Sequence, residues 1–361
     1  MATTPQLKYE IELWINGVMV ADISKLATDR SYTIKRNDSE ELQFTLDVKA
    51  FEDHCVSAGR DPEATLVPYV TDVRVKRNGS YLFGTQVVDI NYTFGEGGAS
   101  MVVKATGFLD LFATRIITKT YSAEESTEIA RDMLDDTQTV YGDYGVNNGP
   151  EQYNTGVDRD RNYIDQNIKD ALINLTDLID GNFDFAFTYD RKFNTYEMQG
   201  TYRPNLKLTY PYNIKSISTP KTALNLYNYT IGLGSGFGEE TVRSEGGDAQ
   251  DVASRLNYGT RMRIVTFNSV EDQTVLDQNT AAENAKTKDL LILPKLTVTG
   301  DFLDLNTVWV GDRIPVEVQG HPSLPLNDIY RIEQIAVAID ENDAEDIGLT
   351  VDNYGFVQAV S

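Results

Sequence analysis

Histidine and cysteine, which often serve as nucleophiles, general bases or metal ligands, are scarce in this 361-residue chain. It has two histidines, His54 and His321, at distant positions, and Cys55 is its single cysteine. A zinc site needs several closely spaced Cys and His ligands, and an internal disulfide needs two cysteines. His54 and Cys55 are neighbours without an evident orienting partner. These residues therefore indicate neither a metal centre nor a nucleophilic active site.

Two further stretches could bind an ion or a phosphate. Residues 232–238 are rich in glycine, but they lack the Gly-Lys-Ser/Thr ending of a phosphate loop and are followed by two glutamates. Residues 340–346 offer several carboxylates to a calcium ion, but they lack the glycine spacing of an EF-hand. We interpret the first stretch as a turn at a barrel edge and the second as an acidic hairpin turn.

Carboxylates and aromatic residues leave two alternatives open. A glycosidase needs a pair of Asp or Glu residues, and nothing here singles out one pair. Asp184 alternates with phenylalanines on a predicted strand, which places it on the solvent side. The aromatic residues of that strand could stack on sugars, but their spacing beside a predicted helix favours a packed core: Phe183, Phe185, Phe187 and Tyr189. We expect no catalytic, cofactor-binding or metal-ligating residues, and no cofactor.

The net charge of −23 limits the possible partners. Binding to nucleic-acid phosphates or to anionic membranes needs clustered Lys and Arg. The acidic surface either keeps a crowded assembly soluble or lines a channel through which DNA slides without binding. No run approaches the roughly 18 apolar residues of a membrane span, and the first ten residues lack a secretory signal. We therefore expect no membrane segment and no specific nucleic-acid binding.

Short strands dominate the first third of the chain. Residues 69–118 predict three or four antiparallel strands with alternating apolar residues. Asn78-Gly79 separates two of these runs, a pattern typical of a type I′ hairpin turn, and Asn16-Gly17 repeats it. Residues 1–120 therefore predict a β-barrel-like domain of six or seven strands.

Residues 121–215 predict an α+β middle region. Ser122 to Glu125 has the pattern of a capping box, which predicts a helix over residues 121–138. Residues 141–161, rich in Gly, Asn and Asp, predict an exposed irregular loop, either a plain connection or a partner contact. A second helix, closed by Gly181, is predicted from apolar residues at helical spacing: Ile164, Ile168, Leu172, Leu175 and Ile179.

Beyond three prolines between residues 204 and 220, the chain predicts strands again. We expect strands near residues 224–231, 261–267, 296–300, 314–318, 330–339 and 347–351, and a polar helix at 277–291. Residues 216–361 thus predict a second β-barrel-like domain. The fold class is mainly β, with two barrel-like domains flanking the α+β middle region.

Several short motifs occur in a recognisable order. The first β-domain contains Arg-Asn-Gly at 77–79, Tyr-Leu-Phe-Gly at 81–84, Val-Val-Asp-Ile at 87–90 and Val-Lys-Ala-Thr-Gly-Phe-Leu-Asp-Leu-Phe at 103–112. Tyr-Gly-Thr-Arg ends at residue 261, and Gly-Asp-Arg-Ile occupies residues 311–314, with Ile314 where the pattern usually has Val. Over nearly the whole chain this order resembles the tail hub proteins of long-tailed bacteriophages, the baseplate hub or minor tail proteins related to the contractile-phage hub.

The resemblance implies a structural protein of the virion and not an enzyme. Three copies would form a ring at the tail tip, and their six barrels would adapt a six-fold tail tube to a three-fold tip around the DNA path. It implies as partners the distal tail or tail tube proteins and the tail-tip or central fibre proteins. Assembly would take place in the host cytoplasm. We expect the inner face of the ring to be acidic, so that DNA is ejected through it passively, as in siphoviruses. The alternatives are a carbohydrate-binding tail adhesin that contacts the host surface, or a carboxylate glycosidase.

Overall fold

Strands with alternating buried and exposed residues make up most of the chain. The computed structural model describes residues 7–176, 181–219, 221–234, 241–244, 249–267, 273–289, 291–292, 294–299, 302–320 and 326–353. The first β-region contains β1 (Tyr9–Ile15), β2 (Val18–Asp22), β3 (Thr28–Lys35), β4 (Glu41–Asp47), β5 (Asp72–Arg77), β6 (Ser80–Gly95) and β7 (Gly98–Gly107). Helices α1 (Val48–Ser57) and α2 (Pro62–Thr65) lie between β4 and β5.

A middle region follows, beginning with a 3₁₀ helix at Phe108–Thr114. Its elements are β8 (Ile116–Glu125), α3 (Ser126–Tyr141), β9 (Asn147–Gln152), β10 (Asp158–Asn167), α4 (Ile168–Thr176), β11 (Asp184–Phe187) and β12 (Lys192–Tyr196). Its hydrophobic core is separate from that of the β-regions and extends from Phe108 to Phe193.

The last third of the chain returns to strands. These are β13 (Leu208–Tyr210), β14 (Ile214–Ser218), β15 (Lys221–Thr222), β16 (Tyr229–Leu233), β17 (Ala249–Gln250), β18 (Met262–Thr266), β19 (Leu291–Ile292), β20 (Lys295–Thr299), β21 (Arg313–Val318), β22 (Asn327–Ile339) and β23 (Glu345–Asn353). Helices α5 (Val252–Tyr258) and α6 (Gln273–Thr287) accompany the small sheet β17-β16-β18. Within the described residues, no helix has the length and apolar character needed to cross a membrane.

The two β-regions share one sheet of 13 strands, in the order β14-β20-β23-β22-β3-β4-β7-β6-β5-β1-β2, with β21 on β22 and β13 on β21. The regions meet where β3 pairs antiparallel with β22, from Lys35 opposite Gln334 to Arg30 opposite Ile339. One hydrophobic core extends through both, from Tyr9 to Val351. The fold class, mainly β with an α+β insertion, is confirmed, whereas the domain boundaries near residues 120 and 215 stay predictions.

Both predicted hairpin turns are present. Asn78 and Gly79 join β5 to β6 with φ angles of 51° and 79°, and Asn16 and Gly17 join β1 to β2 with 51° and 75°. Positive φ at both central positions is the signature of the type I′ turn, which Asn and Gly tolerate. The local sequence thus determines these two connections.

The predicted start of the first helix was wrong. Tyr121 to Glu125 continue strand β8, and α3 begins at Ser126. Glu125 caps it, because its carboxylate accepts hydrogen bonds from the backbone N–H groups of Thr127 at 2.9 Å and Glu128 at 3.0 Å. The capping residue is therefore the last residue of the predicted box and not Ser122.

The predicted irregular loop at residues 141–161 was also wrong, since it contains β9 and the start of β10. Strand β10 pairs antiparallel with β8, which explains why β8 extends to Glu125. The side chains of β10 are mostly polar and lack an apolar alternation, so its strand character comes from backbone pairing.

The second predicted helix is shorter than expected. Ile164 lies on β10 with 70% of its side chain exposed, and α4 begins only at Ile168, where Asn167 accepts a hydrogen bond from the N–H of Asp170 at 3.1 Å. Ile179 lies outside the described residues, and Gly181 has a φ of 64°. The predicted aromatic core is confirmed for Phe183, Phe185 and Phe187, which are buried in one cluster with α4. Tyr189 is only half-buried and stacks instead on Tyr81 of the first β-region.

Candidate functional site

Residues suited to catalysis or metal binding do not converge in the described part of the chain. His54 and the buried Cys55 lie on α1, and burial raises the pKa of the Cys55 thiol. His321 lies outside the described residues. Among the described residues, no three His, Cys, Asp or Glu side chains are placed to hold a metal ion. The expectation that the protein has no catalytic, cofactor-binding or metal-ligating residues stays a prediction.

The described residues of the glycine-rich and acidic stretches lie in strands and in a turn between strands. Gly232 is in β16, and a side chain there would collide with Thr280 on α6, while residues 235–240 lie outside the described chain. The acidic stretch forms the predicted turn between β22 and β23. Its Asp343 pairs with Arg30 at 2.6 Å, and its Glu345 pairs with the buried Arg77 at 2.6 Å. Two of these carboxylates therefore anchor the turn to the first β-region.

Asp184 is buried, not exposed as the alternation suggested, with 4% of its surface accessible. Its Oδ1 accepts from Arg36 at 2.6 Å and from the side chain of Asn37 at 2.9 Å. Its Oδ2 accepts from the backbone N–H of Gln199 at 2.7 Å and from the guanidinium of Arg331. Burial acts to raise the pKa of Asp184, but the two arginines outweigh it and hold that pKa below its ordinary value.

This cluster, the Asp184 junction, connects three parts of the fold. Arg36 and Asn37 lie in the turn after β3, Asp184 opens β11 of the middle region, and Arg331 lies on β22. Asn37 also accepts a hydrogen bond from the N–H of Phe185 at 2.9 Å. The junction therefore fixes the middle region against the place where the two β-regions join.

The Gly-Asp motif at residues 311–312 has a structural cause. Gly311 has a φ of 88°, and a Cβ added there would lie 2.3 Å from the backbone oxygen of Gln199. Asp312 is buried and accepts hydrogen bonds from the N–H groups of Thr201 at 2.6 Å and Trp309 at 3.1 Å. The motif therefore joins the segment near residue 200 to the second β-region.

Glu40 gives a testable pH dependence. Its carboxyl is buried next to Asp110 and Asp38, and burial raises its pKa to about 8. Lys169 pairs with Asp110 at 2.6 Å and with Asp38 at 3.2 Å. The folded protein thus holds the proton of the Glu40 carboxyl more tightly than the unfolded chain does. The protonated carboxyl therefore contributes most to the free energy of unfolding below pH ~4.5, and this contribution is lost as the pH rises to about 8.

We expect Glu40→Gln to remove this dependence, because the amide is neutral at every pH. Between pH 5 and 8 the free energy of unfolding of the variant should rise relative to that of the wild type by up to about 1.4 kcal/mol per pH unit. Urea unfolding of both proteins across this range measures the difference. Parallel stability curves would show that Glu40 titrates as an ordinary carboxylate.

Exposed strand edges and one hairpin are the surfaces suited to contact other chains. Strands β2 and β14 end the large sheet among the described residues, and Val18 and Met19 on β2 are exposed. The β6–β7 hairpin ends in residues 91–98, all exposed, which we call the aromatic hairpin tip. Its Tyr92 and Phe94 are 51% and 76% exposed and stack with ring centroids 6.5 Å apart. Apolar surface of this kind is typical of protein interfaces.

Comparison with solved structures identifies this architecture. The tail protein from Neisseria meningitidis MC58 superposes with a TM-score of 0.66 and 11% identity, over 97% of this chain and 98% of that chain. The 43 kDa tail protein of prophage MuSo2 from Shewanella oneidensis gives a TM-score of 0.63 and 15% identity, over 96% and 99%. No protein-family model and no curated sequence matches the chain.

A third structure extends the likeness to secretion systems. The E. coli c3393 protein is a component of the type VI secretion system with structural similarity to the T4 tail proteins gp27 and gp5. It gives a TM-score of 0.52 and 13% identity, over 95% of this chain and 77% of that chain. At these identities the likeness establishes a shared fold.

Proposed function

We propose that this chain, whose fold is that of phage tail proteins of the hub type, is a structural component of a phage tail tip. The observation that carries the proposal is the match to tail proteins along nearly the full length of both chains. In this role three copies form a ring that adapts a six-fold tail tube to a three-fold tip. The role is mechanical and involves no catalysis.

The joined β-regions support this arrangement. If each copy contributes two β-regions, a trimer presents six of them, and the β3–β22 pairing fixes their relative orientation within one chain. A symmetry adaptor needs this rigidity, because the six units must keep the spacing of the tube subunits. The Asp184 junction adds the middle region to the same body.

The aromatic hairpin tip supports contact with a neighbouring tail protein. It carries two exposed rings at the end of a strand pair of 16 and 10 residues. The net charge of −23 supports passive passage of DNA, since an acidic lumen repels phosphates and prevents sticking. The partners in this proposal are the distal tail or tail tube proteins on one side and the tail-tip or central fibre proteins on the other.

We expect the purified protein to form trimers of 40.4 kDa chains at micromolar concentration. Exposed strand edges and apolar side chains should be covered in that state. Light scattering coupled to size-exclusion chromatography measures the mass, and negative-stain images of the same sample should contain three-fold rings. A single-chain mass at every concentration would contradict the trimer, and host-cell binding by such a monomer would favour the adhesin.

A further inference from the structure

The segment of residues 252–266, which contains α5 and β18, differs in charge from the chain as a whole. It has three arginines and no Asp or Glu, whereas the whole chain has 55 acidic and 32 basic residues. Arg261, which ends the Tyr-Gly-Thr-Arg motif, is exposed. Four apolar side chains of the segment are more than half exposed: Val252, Leu256, Met262 and Ile264. We call the exposed surface of residues 252–266 the arginine face, and it is both basic and apolar.

The small sheet β17-β16-β18 leaves this side of β18 uncovered. Arg263 points to the opposite side, where it donates to the carboxylate of Glu283 on α6 at 3.1 Å. Because side chains alternate along a strand, Met262 and Ile264 point away from α6. Among the described residues, β18 pairs only with β16, so its outer backbone edge is free as well. A free edge beside exposed apolar side chains is suited to contact with another chain.

Helix α5 extends the same surface. The guanidinium of Arg255 lies 5.6 Å from the ring centroid of Tyr229, and Tyr229 is opposite Met262 where β16 pairs with β18. Helix α5 therefore lies beside the start of β18. Its exposed Val252 and Leu256 are four residues apart and so share one face of the helix. Apolar side chains grouped in this way are typical of a protein interface.

A surface of opposite charge lies on the middle region. Strands β8 and β10 form a two-stranded sheet, which we call the acidic ribbon, and one of its sides packs on α3 through contacts of Lys119 and Tyr121 with Asp132, both at 2.6 Å. Ile116 and Ile164 of the ribbon are exposed and do not pack in this way. Every exposed charged residue of the two strands is acidic: Glu124, Asp158, Asp160 and Asp165. The acidic ribbon thus combines apolar side chains with negative charge.

The arginine face and the acidic ribbon are complementary surfaces of one chain. They belong to different sheets, and neither sheet is part of the large one. In a closed ring of three identical copies, each copy contacts one neighbour with one surface and the other neighbour with a different surface. Such a ring therefore needs two different surfaces that fit each other. Opposite charge and exposed apolar side chains give these two surfaces that fit.

We propose that the acidic ribbon of one copy packs on the arginine face of the next copy. The ring is that of the proposed function, on which this contact rests, whereas the choice of surfaces rests on their charge and exposure. Arg255 and Arg261 lie opposite the carboxylates of the neighbouring ribbon in this contact, and the apolar side chains of the two surfaces cover each other. The contact occurs three times in a trimer.

Charge reversal on each surface tests this contact in the full chain. Asp158→Lys/Asp165→Lys makes the acidic ribbon basic, and Arg255→Glu/Arg261→Glu makes the arginine face acidic. Like charges then meet at all three contacts, so the concentration at which half of the chains are trimeric should rise roughly tenfold or more in either variant. Combining the four substitutions restores opposite charges and the wild-type net charge, and should return this concentration to within about threefold of the wild-type value. Analytical ultracentrifugation measures it.

Two control variants should assemble like the wild type. Glu52→Lys/Glu63→Lys changes the net charge as much as the ribbon variant does, but at exposed positions on α1 and α2. Tyr92→Ser/Phe94→Ser removes the rings of the aromatic hairpin tip, which the proposed contact leaves free for another tail protein. Circular dichroism verifies that each variant is folded.

A combined variant that assembles as poorly as the two variants from which it is built would overturn the proposal, since the two surfaces would then not meet. Loss of the trimer in Tyr92→Ser/Phe94→Ser, without an effect of charge reversal, would also overturn it and assign the hairpin tip to the ring. If Arg255→Glu/Arg261→Glu fails to fold, the same comparison is made with Arg261→Glu and Asp165→Lys, both at exposed positions.

The same masses separate this proposal from the proposed function. Trimers in every variant would reject the contact and leave the ring intact. A wild-type protein that is a monomer at every concentration would reject the ring, and the contact with it.

Discussion

Replacing Asp184 with alanine is expected to lower the free energy of unfolding by about 3–5 kcal/mol. The carboxylate is the shared partner of Arg36 and Arg331, and it also accepts from Asn37 and the N–H of Gln199. Without this carboxylate, the guanidinium groups of Arg36 and Arg331 remain largely buried and lose the negative charge that balances their own. The loss should exceed that of any single exposed ion pair in the protein.

Two further variants define the cause. Asp184→Asn keeps an oxygen acceptor but removes the charge, so an intermediate loss is expected. Asp53→Ala breaks an exposed pair with Lys49 on α1, where the loss should be below about 0.5 kcal/mol. Urea unfolding followed by circular dichroism ranks the three proteins. If Asp184→Ala and Asp53→Ala were equally stable, the Asp184 junction would have no structural role.

Gly311→Ala is expected to have a comparably large effect, about 2–5 kcal/mol, or to prevent folding. Its φ of 88° is unfavourable for a residue with a side chain, and the new Cβ would lie 2.3 Å from the backbone oxygen of Gln199. The opposite residue, Gly200, is equally confined, because a Cβ there would lie 2.2 Å from the carbonyl carbon of Gly311. In both cases the nearest atom belongs to the backbone, so no flexible side chain can move away to make room.

Gly59→Ala separates the two causes of this loss. Gly59 has a φ of 69°, but nothing lies within 4 Å of a Cβ added there. It should therefore show only the conformational penalty of about 1–2 kcal/mol. Soluble yield and thermal unfolding compare the two variants. An equal loss in both would show that the close contact with residue 199 is unimportant.

Local patterns predicted the strands and turns of the first β-region because their causes are local. Alternating apolar residues and the Asn-Gly pairs determine which residues face the core and where the chain reverses. The same reasoning placed the start of α3 wrongly, because residues 121–125 pair with β10, more than 30 residues later. A capping pattern within four residues contains no information about that pairing.

Such patterns could not predict the Asp184 junction. Asp184 alternates with phenylalanines like a solvent-facing residue, and its arginine partners are 147 and 148 positions away. Strand β9 pairs in parallel with β12, although it lies in a stretch whose composition predicted an irregular loop. The resemblance to tail hub proteins predicted the overall fold class, since the order of motifs reflects the whole chain.

The pairing of β3 with β22 has a consequence for synthesis on the ribosome. Strand β3 ends at Lys35, and its partner begins only at Asn327. At about 5–20 residues per second, translation of the intervening segment takes roughly 15–60 s. During that time the nascent first β-region presents an unpaired strand edge in the middle of its future sheet, next to identical chains on the same messenger RNA. Chaperones that cover this edge should therefore increase the amount of native protein. Slower translation, or expression that exceeds the capacity of the chaperones, should decrease it.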